Sequence, residues 1–121
     1  MSELSKREKK IARECIDKAL QAEFREGLEK VEAIISEWKN GKYADNGEAH
    51  RTLHKTIRET DKAIAIRYDR ITGSNYLDTV IDVLVSGYIR KEDIEGFNET
   101  IKEVINRAFE SRKNVRWLGR G

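Results

Sequence analysis

Proline is missing from all 121 residues, so no fixed φ and no lost backbone donor interrupts the chain. Cysteine occurs once, as Cys15, which excludes an intrachain disulfide and the disulfide-stapled secreted class. No apolar run approaches the roughly 20 residues that span a bilayer, and the opening MSELSKREKK has no apolar signal-peptide core. A cytoplasmic protein with no membrane contact is expected. Gly-rich phosphate loops, a dinucleotide fingerprint and zinc-ribbon spacing are also absent. These gaps argue against an enzyme, and no cofactor is expected.

What the chain does have is charge and helix-forming residues. Charged and apolar residues each make up 38 %, a balance that favours long solvated helices over a sheet with tight turns. The expected fold is all-α, a single helical domain over 1–121. Little apolar surface is available to close a core within one copy, so a homodimer is the natural completion. The net charge is only +2, but it is uneven. Residues 1–13 carry five Lys or Arg against two Glu, and 107–121 carry five against Glu110 alone, which leaves the middle at −5. Read as a basic N-terminal extension (1–12) and a basic C-terminal tail (112–121), these ends suit phosphate contacts, and a small helical nucleic-acid-binding protein is the alternative function. They lack the interleaved aromatics of a single-strand platform, and ends of this kind are more often plain solvated tails.

Ile16, Leu20, Phe24, Leu28, Val31, Ile35 and Trp38 recur at steps of three and four, which predicts one long amphipathic helix from Ser5 to about Asn40. Gly27 inside it weakens the helix but permits close approach of a neighbour. The segment NGKYADNG, 40–47, clusters residues that end helices, so the chain reverses there. A second helix from Glu48 repeats Leu53, Ile57, Thr60, Ile64, Tyr68 and Ile71 until TGSN at 72–75. Tyr76 to Ser86 reads as a short helix stopped by Gly87. A last helix from about Lys91 to Ser111 is expected to bury Ile94, Phe97, Ile101, Val104, Ile105 and Ala108, followed by a tail docking through Val115, Trp117 and Leu118. The expected dimer interface is the stripe of the two long helices: Phe24, Leu28 and Ile35 with Leu53, Ile57 and Ile64.

Both histidines, His50 and His54, sit four apart in EAHRTLHKTIRETD. One helix face would carry both, the geometry of a two-His metal site. The interior Arg-Thr-Leu offers no glutamate base, and Arg51, Lys55 and Arg58 oppose a cation. No metal is expected. With Leu53 at zero and about 100° per residue, His50, His54, Asp61 and Tyr68 fall within about 60–100° and form a polar seam beside the apolar stripe. Such a seam fits the rim of an interface.

The second helix, LHKTIRETDKAIAIRYDR, pairs Leu with His and places Tyr68 fourteen positions after His54. It resembles the cyanobacterial fluorescence recovery protein family. LVSGYIRKEDIEGF is similar to that family's Leu-x-x-x-Gly-Leu-Leu and following acidic stretch, and AEFREGLEKVEAII to its first long helix, so the likeness covers roughly residues 20–108. The resemblance implies an all-helical homodimer, two long antiparallel helices forming a stalk and shorter helices a head. It also implies a non-enzymatic regulator that binds photoactivated orange carotenoid protein and speeds its return to rest. Partner contact would then lie at Arg51, His54, Lys55, Asp61 and Tyr68. Here Arg51 replaces the family's Trp, Lys55 its Asp and Asp61 its partner-binding Arg. Reversed charges reverse the complementarity that selects a partner, so a different, unidentified protein partner is expected.

Overall fold

The computed structural model describes residues 4–71 and 75–118, with side chains as far as 113. Four α-helices and one 3-10 turn make up the regular structure among these residues: α1 (Lys6–Lys39), α2 (Asn46–Tyr68), α3 (Tyr76–Val85), the turn Lys91–Ile94, and α4 (Glu99–Leu118). The fold is all-helical. None of the described helices is long and apolar enough to cross a membrane.

Local chemistry sets each helix end. Ser5 caps α1 reciprocally with Glu8: the Ser5 hydroxyl accepts from the Glu8 N–H at 3.2 Å, and the Glu8 carboxylate accepts from the Ser5 N–H at 3.3 Å. The first two turns of α1 therefore begin inside the basic N-terminal stretch. At its other end Gly41, with φ +75°, closes a Schellman motif: Gly41 N–H donates to the Trp38 carbonyl and Lys42 N–H to that of Glu37. The same motif ends α3 at Gly87, where Gly87 donates to Leu84 and Tyr88 to Val83. Asp45 starts α2 by accepting from Glu48 N–H at 2.7 Å. Asn98 starts α4 by accepting from Ile101 N–H at 2.9 Å.

The last helix differs from the expected Lys91–Ser111 span. Gly96 and Asn98 break the chain after the 3-10 turn, and α4 begins only at Glu99. No glycine follows until Gly119, so α4 continues through 112–118 where a tail was expected. The side chains of Val115, Trp117 and Leu118, and the turn 72–74, lie outside the described residues.

Contacts divide the chain into two compact units, 1–19 with 71–121, and 20–70. In the first unit, Val80, Ile81, Val83 and Leu84 of α3 are all buried, as befits a helix that is apolar nearly all round. Ile89, Ile94, Phe97, Ile101 and Ile105 complete this core with Ala12, Cys15, Ile16 and Ala19 of α1. Val104, expected inside, is 44 % exposed, because the buried line of α4 runs through Ile101 and Ile105 and leaves it to one side. Buried Glu8 ties the first unit's helix starts together by also accepting from Asn98 N–H at 3.4 Å. Burial pushes this carboxyl up, but the Ser5 and Asn98 donors outweigh that and hold it below the ordinary carboxylate range. Asp93 behaves alike: burial raises it, while Lys18 at 2.6 Å and the Arg90 N–H lower it further.

The second unit is an antiparallel helical hairpin, the later part of α1 against α2. Glu23 pairs with Arg67 at 3.2 Å and Trp38 donates to Asn46 at 2.8 Å, so positions pair in opposite chain order. Gly27 faces Thr60 so closely that an added Cβ would lie 2.6 Å from the threonine methyl. The close approach expected at this glycine is found. Its buried residues are few: Glu23, Gly27, Ile34 and Ala49.

Candidate protein-interaction surface

The apolar stripe of α1 does not lie where the sequence placed it. Of that stripe Ile16 is buried as expected, with Ala12, Cys15 and Ala19 in the first unit; in the second the buried residues of α1 are Glu23, Gly27 and Ile34, whereas Phe24, Leu28, Ile35 and Trp38 are exposed. At Gly27 the missing side chain lets α2 approach closely, and the large residues stand to one side of that contact. The Ala12, Cys15, Ala19 spacing of three and four was the signal for the buried side in the first unit, overlooked because large side chains dominate a hydropathy reading.

The exposed set is organised. Phe24, Leu28, Ile35 and Trp38, with half-buried Val31 between them, follow each other at 4, 3, 4 and 3 residues, the spacing of a coiled-coil seam. Taking Gly27 as the contact line, Phe24, Leu28 and Ile35 stand about 60°, 100° and 80° around α1. On α2, with Thr60 at the contact line, Ile64, Ile57 and Tyr68 stand about 40°, 60° and 80° around in the same sense. In an antiparallel pair the same rotation on both helices leads to the same side, so these residues share one face of the hairpin. Leu28 is 69 % exposed and Ile57 39 %, while Leu53 and Ile64 are half-buried.

The expected partner-binding residues separate into two groups. His54 and Asp61 stand about 120° and 100° around α2, at the edge of the apolar face, with half-buried Tyr68 nearer the contact line. Arg51 and Lys55 instead point away from α1 altogether, in line with Arg58 and Lys62, all four exposed. One seam holding all five residues does not form, because 51 and 55 differ from 54 and 61 by most of a quarter turn. His50 and His54 face each other with ring centroids 4.5 Å apart and planes tilted by 58°. Among the described residues no cluster of three or more His, Cys, Asp or Glu side chains stands ready to hold a metal.

Elsewhere the reactive groups are sequestered or paired. Cys15 donates to the Asp93 carbonyl at 3.4 Å. Burial, with the Asp93 and Glu14 charges, pushes its thiol up to about 11, where it is neutral and a poor nucleophile. A shallow groove on α4 is lined by Glu95, Glu99, Glu103 and Glu110, with Lys102 bridging Glu99 and Glu95 at 2.9 and 3.4 Å and Arg107 on Glu103 at 2.9 Å. Comparison of the chain with protein-family models, curated proteins and solved structures gives no match.

Proposed function

We propose that this chain is a non-enzymatic, dimeric interaction protein of regulatory type, in which a second copy covers the apolar face of the hairpin. The observation that carries the reading is that face itself: Phe24, Leu28, Ile35 and Ile57, large apolar side chains left exposed on one side of two packed helices. Soluble monomers seldom expose such a contiguous patch. Two hairpins stacked through it give a four-helix stalk, with residues 71–118 as the small helical head. That arrangement is the one implied by the resemblance to the fluorescence recovery protein family.

The partner is a different one from orange carotenoid protein. An aromatic anchor is replaced by Arg51, and truncating an interface hot spot costs about 2 kcal/mol or more. Lys55 and Asp61, on different sides of α2, each reverse a charge of that family's pattern. Light scattering should give a dimer mass at about tens of micromolar, in the range of ordinary dimer affinities. Leu28→Glu combined with Ile57→Glu should give a monomer. A monomeric parent chain would sink the dimer. Mixed with photoactivated orange carotenoid protein, the chain should leave colour reversion unchanged, and acceleration at near-stoichiometric ratios would return the reading to the parent activity.

A further inference from the structure

The outer side of α2, facing away from α1, carries only one kind of charge over most of its length. Arg51, Lys55, Arg58 and Lys62 follow at steps of 4, 3 and 4 residues and fall within about 40° of the direction opposite Thr60. All four are exposed. Among the described residues none of them forms an ion pair, whereas Arg25, Lys30 and Arg107, also exposed, each pair with a glutamate four positions away on their own helix. The row is thus a line of unmatched positive charge about 16 Å long. No carboxylate interrupts it before Asp69, but Glu48 borders its start, about 120° from the contact line, and Glu59 and Asp61 border it on either side at about 100°.

We infer that this row is a docking surface for an acidic helix of a partner protein, one bearing carboxylates at the same 4-3-4 spacing. The spacing is palindromic, so a helix laid parallel or antiparallel meets all four cations in register. Charge complementarity of this kind selects a partner and its register. The bordering carboxylates decide against a polyanion. A nucleic-acid duplex presents phosphates to both sides of a helix in its groove, where Glu59 and Asp61 would repel them. A single file of carboxylates passes between the two. The inference deepens the scaffold reading by naming a partner class, and it rests on that reading only in taking the chain to be an interaction protein.

The test uses the full chain and two labelled, stapled helical peptides of identical composition. One carries glutamates at i, i+4, i+7 and i+11; the other spreads them around the helix. Anisotropy at about 50 mM salt, where surface charge is weakly screened, should show the in-register peptide binding at least about tenfold tighter. Arg58→Glu with Lys62→Glu should remove that preference. Equal binding of the two peptides, or tighter binding of a DNA duplex of the same length, would overturn the inference. Light scattering of the same samples keeps the two readings apart: a monomer with intact register preference refutes the dimer alone, and a dimer without preference refutes the row alone.

Discussion

The two units of this chain solve the problem of burial differently. Residues 4–19 and 71–113 enclose their own core: Val80, Val83, Ile94 and Ile105 are essentially inaccessible, and only Val104 among the large apolar residues there stands exposed. Residues 20–70 bury a glycine, an alanine, one isoleucine and a glutamate, and leave Phe24, Leu28, Ile35, Trp38, Ile57 and Ile66 in water. Three helical segments and a turn can surround a centre; two helices have only a line of contact. A hairpin with large side chains beside that line exposes them until something else packs there. The first unit buries its large apolar residues within one copy, and the second leaves most of its own exposed.

The largest effect that separates the two should come from core truncation. Ile105→Ala is expected to lose about 3–4 kcal/mol, equally at every protein concentration. Leu28→Ala should cost under about 0.5 kcal/mol in dilute chain but, on the proposed dimer, more as concentration rises, because the side chain would then be lost from the interface. Urea unfolding of both variants at low and high concentration measures this directly. An equal, concentration-independent loss for both would abolish the distinction between the units.

Next comes the ion pair that holds the hairpin in register. Arg67→Ala strands the Glu23 carboxylate at 6 % side-chain exposure and should cost about 3 kcal/mol. Glu23→Gln in the same background should recover part of it, because the uncompensated charge is gone. No recovery would mean that Arg67 acts through its packing alone.

Gly27→Ala should be milder, a net loss of about 1–2 kcal/mol: the gain in helix propensity is outweighed by the clash with the Thr60 methyl. Thr60→Ala removes that methyl and should turn the same substitution neutral or stabilising. Thermal melts of the single and double variants check it, and a double variant no better than Gly27→Ala would show that the helix backbones themselves collide.

The smallest expected effect is on the acid side of the first unit. Glu8 and Asp93 are held below their ordinary values of 4.5 and 3.8 in the fold, so the folded state binds protons less readily than the unfolded chain. Their contribution is complete above those values and is lost as pH falls through the lower folded-state ones. Glu8→Gln should cost about 1 kcal/mol near pH 6 and less near pH 3, read as urea midpoints. A cost that is the same at both pH values would place the Glu8 contribution in shape rather than charge.

Most of the helix grammar could be read in the chain. Gly87 ends α3 and the cluster at 40–47 ends α1 as their types require, because helix termination depends on a few neighbouring atoms, whereas the Asp45 cap starts α2 at Asn46 rather than the expected Glu48. Gly27 was legible as a close approach for the same reason. The candidate interface residues were legible as an apolar set, while their division from the core was not. The sequence shows that Phe24, Leu28 and Ile35 are apolar and lie on one line of the helix; it does not show that α2 packs beside that line and leaves them exposed.

By itself, then, the sequence determined the all-helical class, the reversal within 40–47 and the stop at Gly87, all consequences of local hydrogen bonding and periodicity. Only the tertiary structure decided that Ala12, Cys15 and Ala19 are buried in the first unit and Gly27 in the second, that Val104 faces out, and that Arg51 and Lys55 face away from α1. Those outcomes depend on which of several apolar or charged faces meets a neighbour first. Helical periodicity alone leaves that choice open, since a rotation of about 100° changes every contact while leaving the repeat intact.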